Sequence, residues 1–67
     1  MTNEIIGTNA GLVWNVLNGK GKLSVKDLKK QTKIKTDKLL FAALGWLAKE
    51  DKLIFTEKEE DLFVGLA

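Results

Sequence analysis

Leu23-Ser24-Val25-Lys26-Asp27-Leu28, followed a few residues later by Ile34-Lys35-Thr36-Asp37, is the stretch that decides the architecture. Ser24 is an N-cap residue by type, and Asp27 stands where a capping box places its acid, although Glu is more usual there. Leu23 before the cap and Leu28 after it have the spacing of a hydrophobic staple. Together these signals predict a short helix from Val25 to about Thr32, with Val25 and Leu28 inward and Lys26, Lys29, Lys30 and Lys33 outward. Ile34 then interrupts the polar run, well placed to plug a tight turn between two helices. Thr36 caps the next helix, and Asp37 in its first turn complements the helix dipole.

That next helix is expected from about Asp37 to Glu50, with Leu40, Ala43, Leu44 and Leu47 as its core stripe. Leu39 and Trp46 flank the stripe on one side and Phe41 and Ala48 on the other, an apolar arc wider than half the circumference. A small core wrapped around this helix is expected to bury Leu39 and Trp46; Phe41 is harder to cover. Upstream, Ile6, Ala10, Val13, Trp14 and Leu17 predict a first helix, with Asn18-Gly19 as its stop. Ile5, Leu12 and Val16 form a second stripe on it, more apolar surface than a helix covered on one face requires. Downstream, Leu53 to Glu57 and Leu62 to Leu66 read as strands joined by the polar tip Lys58-Glu59-Glu60-Asp61, a hairpin. A residue or two near Lys22 and Leu23 can pair with it as a third short strand. The expectation is an α+β, mainly helical chain forming a single domain over residues 1–67. Helix, short strand, helix, tight turn, helix, hairpin is the order of a winged helix-turn-helix.

Composition narrows the chemistry. A chain of 67 residues with no Cys and no His excludes disulfides, thiol chemistry and any Cys/His zinc or haem site. The one Ser is a helix cap, the acids lie at exposed positions, and the six glycines lack the spacing of a phosphate loop. We expect no enzyme, no cofactor and no small-molecule substrate. No apolar run reaches the roughly 18 residues of a membrane span, and the N-terminus lacks a basic signal-peptide start, so a cytoplasmic protein is expected.

The motifs Ile6-Gly7, Ala10-Gly11 with Trp14, Leu23-Ser24-Val25 with Leu28, Ala43-Leu44-Gly45-Trp46-Leu47-Ala48 and Glu50-Asp51-Lys52-Leu53 span nearly the whole chain. In these the sequence resembles a family of small stand-alone prokaryotic winged helix-turn-helix domains of unassigned function. Leu44-Gly45-Trp46-Leu47-Ala48 is the most telling part, because Gly beside Trp is unusual inside a helix. The resemblance implies the fold and a link to DNA; it supplies no activity.

The net charge of +2 hides a strong segregation. Residues 20–38 hold eight lysines against Asp27 and Asp37, a local +6, while residues 57–61 at the hairpin tip sum to −3. A basic block of this kind attracts a polyanion by counterion release. The expected DNA contacts are Lys26, Lys29, Lys30, Lys33, Lys35, Thr36 and Lys38, with Thr36 and Lys38 alone within reach of base edges. The chain has no Arg, and the third helix has no Asn or Gln, so the usual readers of guanine and adenine are missing. Such binding would be transcription-associated, dominated by phosphates and weakly specific. The acidic hairpin tip would be repelled by phosphate; its acids also keep an exposed hairpin edge from pairing. The alternative is a protein-interaction or homodimerisation module, with Leu12, Val16 and Phe41 as its dimer or partner surface.

Overall fold

The computed structural model describes residues 1–67 and begins with helix α1, Asn3–Lys20. The Thr2 hydroxyl oxygen accepts a hydrogen bond from the Ile5 N–H at 3.2 Å and caps its first turn. The helix runs through the expected stop at Asn18-Gly19 and ends at Gly21 instead. Gly21 takes a φ of 80°, a value that favours glycine, and its N–H reaches the Leu17 carbonyl at 2.8 Å. Gly19 needs no such conformation and stays in the helix.

Helix α2, Val25–Thr32, has the predicted bounds, and Ser24 Oγ accepts the Asp27 N–H at 3.1 Å. Lys33 closes it in a left-handed conformation at φ 61°, its N–H donating to the Lys29 carbonyl at 3.0 Å. The buried Thr32 hydroxyl donates to the Leu28 carbonyl at 2.9 Å and accepts the Ile34 N–H at 3.4 Å. That double use satisfies a polar group that would otherwise destabilise the interior. Ile34 plugs the turn as expected and is only 7% exposed. Helix α3, Asp37–Lys49, is capped by Thr36, whose Oγ1 accepts the Leu39 N–H at 3.2 Å. It ends in a Schellman motif: the Lys52 N–H reaches the Leu47 carbonyl, the Asp51 N–H reaches that of Ala48, and Asp51 is left-handed at φ 59°.

Three strands complete the fold: β1, Leu23–Ser24; β2, Leu53–Lys58; and β3, Asp61–Leu66. They form an antiparallel sheet in the order β1-β3-β2. The third strand expected near Lys22 and Leu23 is therefore real, one residue further along. Leu23 and Phe55 both pair with Val64, so the hairpin is anchored to the segment between α1 and α2. Lys58 pairs with Asp61, leaving Glu59 and Glu60 as a two-residue turn with φ of 51° and 71°. Asn-Gly is the usual choice in such turns, and each non-glycine left-handed residue costs about 1–2 kcal/mol.

The core is a single cluster. Ala10, Val13 and Leu17 from α1 meet Leu28 from α2, Leu40, Ala43, Leu44 and Leu47 from α3, and Val64 from β3, with Ile34 at the turn. This is the three-helix, three-strand arrangement of a winged helix-turn-helix. Four expectations about apolar side chains need correction. Trp14 is 37% exposed and Ile6 half-buried, so neither belongs to the core stripe of α1. Trp46, expected inside, is 40% exposed. Its ring lies over α1 within ordinary contact distance of where a Cβ on Gly7 would sit, so a neighbouring helix covers one side of it and water the other. Val16, assigned to a partner surface, is half-buried and packs against the core. No helix is long and apolar enough to cross a membrane.

Candidate nucleic-acid interface

The fold divides the eight lysines of the basic segment. Lys20 ends α1, and Lys22 lies over the Phe63 ring, 5.9 Å from its centroid, on the sheet. The other six stand on the helix-turn-helix unit. Lys26 and Lys30, four residues apart, share one face of α2, Lys33 follows as the left-handed residue that closes the helix, and all three are exposed. Lys35 in the turn and Lys38 in the first turn of α3 are exposed as well.

Lys29 departs from the expectation of an outward, free lysine. It is half-buried, and its Nζ donates to Asp37 Oδ1 at 2.9 Å, tying α2 to the start of α3. With both partners substantially exposed, this ion pair contributes no more than about 1 kcal/mol. Its effect is positional: it neutralises the one carboxylate at the mouth of an otherwise basic groove. The only other ion pair joins Lys52 to Glu50 at 3.5 Å, so Lys26, Lys30, Lys33, Lys35 and Lys38 have no ionic partner.

Between α2 and α3 lies an open groove of about 370 Å³ lined by Val25, Lys26, Lys29, Lys30, Asp37 and Phe41. Phe41 thus stands among the lysines, a placement that grouping it with Leu12 and Val16 by sequence overlooks. The signal is present, since Phe41 follows Asp37 by four residues and shares its side of α3. Leu12 is exposed on α1 and takes no part in the groove.

Thr36 has one oxygen lone pair committed to capping α3; its hydroxyl hydrogen stays free to donate. The outward stripe of α3 runs through Lys38, Phe41, Ala42, Gly45 and Lys49, all exposed except the half-buried Ala42. A Cβ added at Gly45 would meet nothing within 4 Å, so the fold does not demand glycine there. Gly11 on α1 is equally unconstrained, but only Gly45 sits in a stripe flanked by two exposed lysines. The hairpin tip is acidic in space as in sequence: Glu57, Glu59, Glu60 and Asp61 are all exposed. In a helix-turn-helix, the second helix of the unit enters the major groove while the first lies against the backbone.

A family model described as a winged helix-turn-helix domain (DUF2582) matches residues 1–66. The chain belongs to this family. Within a winged helix-turn-helix, α2 and α3 are the helix-turn-helix unit and β2–β3 is the wing. The basic groove therefore lies between the two helices of that unit, and the acidic turn is the tip of the wing. No curated protein matches the chain in sequence.

Proposed function

We propose that this winged helix-turn-helix binds duplex DNA by docking α2, the turn and the start of α3 on phosphates, in a transcription-associated role. The observation that carries this reading is the row of lysines without ionic partners, Lys26, Lys30, Lys33, Lys35 and Lys38, beside the outward stripe of α3. Lys29 supports the row while its ammonium offsets the charge of the Asp37 carboxylate. Thr36 and Lys38 are the hydrogen-bonding groups nearest to base edges. Binding of this kind is weakly specific and loses affinity steeply with salt. The acidic wing stays away from phosphate, so the interface is the helix-turn-helix alone.

Gly45 offers the test. Gly45→Leu replaces a poor helix former by a good one and should stabilise the fold by about 0.5–1 kcal/mol, read as a higher urea midpoint. In the DNA reading the same side chain obstructs the approach of α3 and weakens duplex binding at least ~5-fold, because the phosphate and base partners it holds apart stay imperfectly paired. A more stable variant with unchanged affinity would remove α3 from the interface.

A second reading has its own observation. Trp14 on α1 and Trp46 on α3 are 37% and 40% exposed, and Trp46 lies over Gly7, which shares the Trp14 side of α1, so the two rings offer an apolar surface suited to a second copy or a protein partner. It is compatible with DNA binding through the lysine face, because these residues are not among those lining the basic groove.

A further inference from the structure

Phe41 is the residue that the docking reading leaves without a purpose. It is 47% exposed and belongs neither to the core nor to the half-buried groups packed on it. Exposing an aromatic ring forfeits the stabilisation that burying it would bring. Yet the ring stands in the groove with Lys26, Lys29 and Lys30, three and four residues away from Lys38 and Gly45 on the outward stripe of α3. Whatever those lysines hold by phosphate, Phe41 meets by its apolar surface.

In the major groove the base edges offer hydrogen-bond donors and acceptors and one apolar group, the C5 methyl of thymine. The helix has no Arg, Asn or Gln with which to read the polar pattern. The apolar groups on the stripe between Lys38 and Lys49 are Phe41 and the half-buried Ala42. We infer that Phe41 is a specificity-determining residue that reads thymine methyl groups, making the preferred ligand duplex DNA rich in A·T pairs. This inference rests on the docking reading above and adds to it the source of its sequence preference. Phosphate contacts through the lysines set the affinity, and Phe41 sets which steps are favoured. Lys29, paired with Asp37, lines the same groove as the ring, and the shared core of α2 and α3 keeps the ring beside the lysines.

The experiment compares two labelled duplexes of identical A·T-rich sequence, one with thymine and one with uracil throughout, by fluorescence anisotropy at low salt. The wild-type chain should bind the thymine duplex about 4-fold more tightly for each methyl contacted. Phe41→Ala should bind both duplexes alike with an unchanged salt slope, and Phe41→Leu should keep part of the preference. Because the ring is exposed, circular dichroism of Phe41→Ala should match the wild type. Equal affinity of the wild type for the two duplexes, with salt-dependent binding intact, would overturn the methyl reading and leave the docking reading standing. A preference that survives in Phe41→Ala would also overturn it, since the difference would then come from the duplexes themselves. Absence of binding to either duplex at low salt would overturn the docking reading, and this inference with it.

Discussion

Leu40→Ala should leave the chain largely unfolded at room temperature, read as loss of the helical circular dichroism signal without added denaturant. Leu40 is fully buried in α3 and belongs to the one core cluster of the molecule. Truncating such a leucine costs about 2–5 kcal/mol, from the transfer energy of the removed atoms plus the cavity left behind. A domain this small rarely draws more than about 3–5 kcal/mol from its core, and no disulfide supplements it here. The neighbouring residue is the control. Phe41→Ala removes a larger side chain, but an exposed one, and should shift the urea midpoint only slightly. Full helical signal in Leu40→Ala, or unfolding in Phe41→Ala, would mean that the division of α3 into inward and outward stripes is wrong.

The second large effect concerns binding. Lys26→Glu combined with Lys30→Glu should weaken affinity for duplex DNA by at least ~10-fold at moderate salt. It should also lower the slope of log affinity against log salt by about 2, close to 0.9 for each phosphate no longer neutralised. Both side chains are exposed and without ionic partners, so their exchange disturbs no interaction within the fold. Glu at position 26 also suits the N-terminal turn of α2 electrostatically. Lys20→Glu with Lys22→Glu makes the same change in net charge at the end of α1 and on the sheet, and should cost distinctly less. Equal losses from the two pairs would reduce the interface to an effect of net charge. The two lysine faces separate because charge in sequence becomes a patch only where the fold gathers it.

The capped segments are legible in the sequence because their signals are local. Ser24 and Thr36 each act on a backbone N–H three residues away, and Ile34 has only one place to go between two helices. The bounds of α2 follow from these residues alone. The end of α1 is not legible in the same way: two glycines two residues apart both suit a helix stop, and only the path into β1 decides for Gly21. Trp46 escapes a sequence reading because the width of an apolar arc does not say how much of it neighbouring elements cover. With 67 residues there is too little chain to enclose a helix on every side. The lysines of the candidate interface can be named from their spacing. Their division is hidden, because the pairing of Lys29 with Asp37 and the stacking of Lys22 on Phe63 join elements that sequence spacing does not relate. Phe41 needs the packing of α2 against α3 before its lysine neighbours can be seen.

The most direct test of the central claim is a titration of the chain with random duplex DNA at about 50 and about 200 mM salt, recording amide NMR shifts alongside affinity. Docking through the helix-turn-helix predicts binding that falls by about 10³-fold or more between the two salts if six phosphates are engaged, with shifts confined to residues 26–45 and an unmoved wing. No binding at the lower salt, or shifts centred on α1 and the wing with residues 26–38 unmoved, would contradict it.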